Sequence, residues 1–144
     1  MRHLERVEDY LEHILEAINR ATGYLQSLPD MASFRENSQV QDAVVRNIEI
    51  IGEAVNKINS TAPEFIQQYS EIPWAQMRGM RSVAIHEYFF LDLEIVWTTV
   101  REHLPRLKLQ IEALLKERQR ARDGSVAYQT GDLMSGCCAT TGTR

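Results

Sequence analysis

Cysteine is almost absent from this chain, and the two present, Cys137 and Cys138, are neighbours near the C-terminus. Adjacent cysteines do not staple a small fold, and they offer no metal-ligand spacing. No apolar run approaches the roughly 20 residues that a bilayer-spanning helix needs. Strand-like alternation is missing over any useful length, so a sheet is not expected. There is no internal repeat, no glycine-rich phosphate loop and no Gly-x-Ser-x-Gly elbow. Disulfide scaffolds, helical membrane proteins, P-loop enzymes and α/β-hydrolases are therefore set aside, and no metal or cofactor is called for. The opening residues, Met-Arg-His-Leu-Glu, are charged and contain no apolar signal core, which makes the cytoplasm the expected compartment. A net charge of −4 argues against indiscriminate nucleic-acid binding over the whole surface but leaves room for a local basic cleft.

The 144 residues suffice for one domain with a real core, and 44% hydrophobic and 25% charged content is ordinary for a globular chain. Helical periodicity dominates. Leu4, Val7, Leu11, Ile14, Ile18 and Leu25 predict an amphipathic helix from Arg2 to about Leu25, stopped by Ser27-Leu28-Pro29-Asp30. His3 and His13 on it are read as solvated. A second helix is predicted over about Gln39–Asn59, opened by a Ser38/Gln41 capping box. Its stripe Val44, Ile48, Ile51, Val55 and Ile58 is widened by Val40, Val45, Ile50 and Ala54, which points to a central helix covered on more than one side, in part by a second copy. Arg46, Glu49, Glu53 and Lys57 share its remaining side. They are either a run of local ion pairs or, for the first three, a brace for an active cleft.

Thr61-Ala-Pro-Glu64 predicts a second capping box and a short helix to about Tyr69. Pro73 and Trp74 open the next helix, with Trp74, Met77 and Met80 read as core. Asp92 is the expected cap of a helix reaching His103 or Leu104, with Leu93, Val96, Trp97, Val100 and Leu104 facing inward. Pro105 either kinks it or opens a last helix to about Arg122. In that last segment Arg106, Lys108, Lys116, Arg118, Arg120 and Arg122 face only Glu112 and Glu117, a solvated helix end or an RNA-tracking surface. The pattern collapses after Asp123. The expected architecture is an all-α antiparallel bundle of four principal helices plus short extra ones over 1–122, homodimeric, with a disordered tail over 123–144.

The chemistry concentrates in Met77–Tyr88, where Arg78, Arg81, Ser82 and His86 fall between Glu71 and Glu87 with no acidic residue among them, and Tyr88 follows Glu87. A fork-shaped cation, a group that titrates near neutrality and a phenol are suited to handling a phosphate. The pattern Arg81-x4-His86-x-Tyr88 resembles the signature of HEPN-domain proteins, specifically the HepT-like toxins paired with a minimal nucleotidyltransferase antitoxin. Arg46-Asn47-Ile48-Glu49, Gly52-Glu53-Ala54, Pro73-Trp74 and Trp97 extend the resemblance over roughly Leu4–Leu115. It implies a metal-independent endoribonuclease whose Arg81 and His86 form the catalytic site at a dimer cleft. It also implies that the partner nucleotidyltransferase neutralises the toxin by adenylylating Tyr88. Ser82 departs from the family, where asparagine or another strongly polar residue commonly follows the arginine, and a serine offers a shorter, less exacting donor.

At about 100° per residue, Arg81 and His86 sit roughly 140° apart on an ideal helix. Three arrangements reconcile them: the helix ends or bends near His86, the long Arg81 side chain reaches round, or a two-fold axis completes the site. The alternative function is a non-catalytic nucleotide- or RNA-binding subunit of a nucleotidyltransferase complex. A purely structural helical adaptor would leave the coincidence of Arg81, His86 and Tyr88 unexplained, although Tyr88 could simply pack with Phe89 and Phe90.

Overall fold

The computed structural model describes the backbone of residues 2–86 and 92–137, and side chains within 7–80 and 92–124. Every regular element among the described residues is helical, so the fold is all-α. In order they are α1 (Arg2–Gln26), α2 (Met31–Glu36), α3 (Ser38–Thr61), α4 (Pro63–Gln68), α5 (Trp74–His86), α6 (Leu93–Thr98), a π-helical turn (Thr99–His103) and α7 (Leu104–Cys137). No described helix is long and apolar enough to cross a membrane.

The predicted stripes are the buried ones. Val7, Leu11, Ile14, Ile18 and Leu25 of α1 meet Val44, Ile48, Ile51, Val55 and Ile58 of α3, all at or near zero exposure. Burying one such side chain contributes about 1.5–3 kcal/mol. Helix α3 is central: it packs against both α1 and α5, while the π turn rests on α1. Val40, Val45 and Ile50, which widen its apolar surface, are half-buried within one chain.

The helix starts differ from expectation in an instructive way. Asn37, not Ser38, caps α3, its side chain accepting from the Val40 N–H at 3.1 Å. Gln41 instead turns back and donates to the Phe34 and Arg35 carbonyls at 2.7 and 3.0 Å, closing the end of α2. Thr61 is the last residue of α3 rather than a cap. Helix α4 starts at Pro63, whose missing N–H leaves one fewer free donor, and Ala62 in the cap position has no side-chain acceptor to make a cap bond. Asp92 caps α6 as expected, accepting from the Glu94 and Ile95 N–H groups.

Helix α2 straps α6 in place. Phe34 packs on Trp97 with ring centroids 5.6 Å apart, and Arg35 pairs with Glu94 at 2.7 Å. Arg101 then lies over the Trp97 ring at 4.4 Å and donates to the Leu28 carbonyl. The π turn answers to Pro105, which has no N–H to return to the Arg101 carbonyl. There the Leu104 N–H reaches the Thr99 carbonyl, five residues back. Buried Val96, Val100 and Leu104 follow one another at steps of four. Two such steps drift about 80° around an ideal helix. The wider turn takes up part of that drift and keeps the line on the core.

By internal contact the chain divides into two units, Met1–Ile111 and Glu112–Arg144. Helix α7 contributes to both. It continues to Cys137, beyond the end expected near Arg122, so most of the stretch read as a tail is helical. No proline interrupts it, and Gly124 costs a helix only about 1 kcal/mol relative to alanine. Residues 138–144 of that expected tail lie outside the described residues.

Candidate active site

Helix α5 is held rigidly at its start. The Trp74 indole N–H donates to the Tyr69 carbonyl at 2.9 Å, and the Trp74 ring packs near Phe65, with centroids 6.1 Å apart. Met77, one turn on, is fully buried. Trp74 and Met77 are thus core, as read from the sequence, whereas Met80 is half-buried. Arg78 is exposed and lines a shallow depression with Ile66 and Trp74.

The same helix carries Arg81, Ser82 and His86, and the backbone is helical without interruption from Trp74 to His86. The helical backbone is continuous from Arg81 to His86, which on an ideal helix offsets their positions by roughly 140°. The described part of α5 runs to His86. Tyr88 lies outside the described residues.

Beside α5 an open groove of about 670 Å³ separates it from the α6–α7 arm. Val45 and Ile48 of α3 form the floor, with Met77 and Met80 on one wall and Val96 and Leu107 on the other. Thr99, His103, Arg106, Gln76 and Gln110 supply polar groups, and Glu71 sits at one end. Along α5 the described lining includes Gln76, Met77, Gly79 and Met80. No single stretch of sequence announces it, because its lining comes from three separated segments. The only traces are the π-turn spacing and Pro105, which together set where Thr99 and His103 fall.

Arg46, Glu49 and Glu53 occupy another side of α3. With Tyr10 and His13 of α1 they line a separate depression of about 550 Å³. Arg46 pairs with Glu49 at 3.6 Å on an exposed surface, a contact worth a few tenths of a kcal/mol, roughly. Within one chain, α3 presents Val45 and Ile48 to the α5 groove and these charged residues to the other depression. Asn47 between them is buried; its amide donates to the Ala43 carbonyl at 2.7 Å and its Oδ1 has no partner among the described residues. Among the described residues no group of three or more His, Cys, Asp or Glu is placed to hold a metal ion.

Comparison with known proteins places this geometry in a family. The sequence model described as ribonuclease HepT-like matches residues 14–114, a range that contains every candidate site residue. A probable ribonuclease HepT of Thermococcus cleftensis is 39% identical over 109 residues, covering 76% of this chain and 96% of that protein. A candidate RNase of Methanocaldococcus jannaschii is 35% identical over 106 residues, covering 74% of this chain and 94% of that protein. A longer protein of the same organism, named as a gamma-glutamylcyclotransferase and candidate RNase, is 35% identical over 129 residues; the match spans 89% of this chain and only 56% of that relative. No solved structure matches the chain. The family model covers more than half of the sequence, and shorter relatives align over nearly their whole length: the chain belongs to the HepT-like ribonuclease family.

Proposed function

We propose that this chain is the toxin of a toxin–antitoxin pair: a homodimeric, metal-independent endoribonuclease acting through Arg81 and His86 and neutralised when a partner nucleotidyltransferase adenylylates Tyr88. The observation that carries the reading is the unbroken α5. One helix holds both Arg81 and His86, and on an ideal helix their positions are offset by about 140°. A two-fold axis beside this part of α5 would gather two arginines and two histidines into one cleft. Such an axis is also the means by which Arg46, Glu49 and Glu53, on another side of α3, would brace the cleft from across the dimer.

The chemistry then follows from the residue types. Neutral His86 takes the proton of a ribose 2′-hydroxyl as that oxygen attacks the adjacent phosphorus. The bond from phosphorus to the 5′-oxygen breaks. Protonated His86 of the partner subunit gives its proton to that leaving oxygen, leaving a 2′,3′-cyclic phosphate and a 5′-hydroxyl. Arg81 holds the phosphate and stabilises the charge that builds on its oxygens, with Arg78 and Ser82 as supporting donors. An adenylyl group on Tyr88 brings a phosphate of its own into this positive window. It would compete with RNA for Arg81 and fill the cleft.

The test is incubation of the purified chain with RNA in EDTA. Cleavage by the wild type should fall by about 10²-fold or more in Arg81→Ala and in His86→Ala, the usual scale for losing one acid–base or charge-stabilising group. Helicity should be unchanged in both, and His13→Ala should cut like wild type. Full cleavage by His86→Ala would end the acid–base scheme and leave a nucleotide- or RNA-binding subunit as the function.

A further inference from the structure

The groove beside α5 has two chemical characters that belong together in one kind of ligand. Its floor is apolar, from Val45 and Ile48, and apolar Met77 and Leu107 stand on its two walls. Its α6–α7 rim is polar, with Thr99, His103 and the Arg106 guanidinium, while Glu71 also belongs to the lining. Both His103 and Arg106 are exposed, and neither has a hydrogen-bond or ion-pair partner among the described residues. A nucleotide has the complementary pair: a flat base with an apolar face and a phosphate. The volume of about 670 Å³ also falls within the roughly 300–1,000 Å³ of small-ligand sites.

Position strengthens the match. The groove's described α5 lining includes Met80, and Arg81 is the next residue of the same helix. A strand whose scissile phosphate meets Arg81 would have this apolar-floored groove, with Arg106 on its rim, along the preceding turn of the same helix. The π turn fixes the rim: it holds Val96, Val100 and Leu104 on the core and leaves Thr99 and His103 beside the groove.

We propose that this groove is a nucleotide subsite for RNA next to the cut, with a base on the apolar floor and its phosphate held by Arg106 and His103. This rests on the ribonuclease reading above and adds to it two substrate-positioning residues outside the Arg–His–Tyr motif. The Arg106 guanidinium on the rim favours a nucleic-acid occupant over an apolar segment of a second copy, which would strand that charge against an apolar surface.

The experiment is anisotropy titration of the full-length chain into fluorescein-labelled, 2′-O-methyl single-stranded RNA, which binds but cannot be cut, at several salt concentrations. Arg106→Gln should weaken binding about tenfold and lower the slope of log affinity against log salt by about 0.7, the share of one phosphate contact on a single strand. Arg106→Lys should recover most of both, because a point charge suffices for a phosphate. Ile95→Gln, at the apolar edge, should weaken binding while leaving the salt slope unchanged. On unmodified RNA the Arg106→Gln loss should fall in KM rather than kcat. Wild-type affinity and slope in Arg106→Gln, with RNA still bound by the wild type, would overturn the subsite alone. A wild type that neither binds nor cuts RNA would overturn the ribonuclease reading beneath it. A shift in sedimentation produced by Ile95→Gln or Arg106→Gln would assign the groove to self-association and overturn the subsite too.

Discussion

At Tyr88 one oxygen atom separates two outcomes. Tyr88→Phe keeps the ring for packing and deletes the only atom that can accept an adenylyl group. With the partner nucleotidyltransferase, ATP and Mg²⁺, the wild type should gain the mass of one or more AMP units and lose RNA cleavage. Tyr88→Phe should stay unmodified and keep cutting. Other tyrosines provide controls of graded difficulty: Tyr69 packs against Phe65 with centroids 4.9 Å apart, Tyr10 contacts His13, and Tyr24 is 39% exposed. Tyr24 is the stringent one, being accessible without an arginine–histidine pair beside it in sequence. Peptide mass mapping that places AMP on Tyr24, or on Tyr88→Phe protein at all, would show that the motif does not direct the modification. Residue-level chemistry of this kind is legible in sequence because it depends on side-chain type and spacing. His103 is not legible in that way: nothing near it in the chain marks it, and only the fold brings it beside Met77 and Met80.

At the scale of elements, α2 shows what a cap contributes. The Ser33 backbone N–H, and then its hydroxyl, donate to Asp30 Oδ1 at 2.9 and 2.8 Å and hold that carboxyl below its ordinary value. A folded-state pKa that is lowered adds stability above the unfolded value and loses it as pH falls through the folded one. Asp30→Ala should therefore lower the melting temperature at neutral pH, and the difference from wild type should vanish in acid. Asp30→Asn should retain most of the cap at neutral pH and lose the pH dependence. Equal melting temperatures for Asp30→Ala and wild type at neutral pH would show that α2 does not depend on this cap. The consequence reaches the groove, because α2 carries Phe34 and Arg35 against Trp97 and Glu94 of α6. The stripes of α1 and α3 are readable in sequence because burial repeats every three or four residues. Their caps are less so: Asn37 and Ser38 are adjacent and both competent, and the choice falls to Asn37 once Gln41 is occupied with the Phe34 carbonyl. Helix α2 itself is too short, at six residues, to leave a periodic signal. The π turn leaves only a four-four step and a proline.

The whole molecule is where the proposed site closes, since a shared cleft makes each histidine depend on the other subunit. Half-buried Val40 and Ile50 on α3 are apolar surface that a partner could cover further. The two-histidine scheme makes a quantitative statement about mixed dimers. In a heterodimer of wild-type and His86→Ala protomers the cleft keeps one histidine, so either the acid or the base is missing and turnover falls by about 10²-fold or more. If equal amounts are unfolded together and reassembled at random, only the wild-type homodimers stay active, about one quarter of the total under two-fold pairing. Two independent sites, each complete within one protomer, would instead retain about one half, in proportion to the wild-type protomers present. Differently tagged protomers allow the heterodimer to be purified and assayed directly, which removes any dependence on random mixing. Sedimentation of the wild type supplies the prerequisite: a stable monomer at micromolar concentration would exclude the shared cleft before any mixing is done. A purified heterodimer with half the wild-type rate would place Arg81 and His86 to work within one chain. The helical offset along α5 would then have to be bridged by the reach of the Arg81 side chain alone.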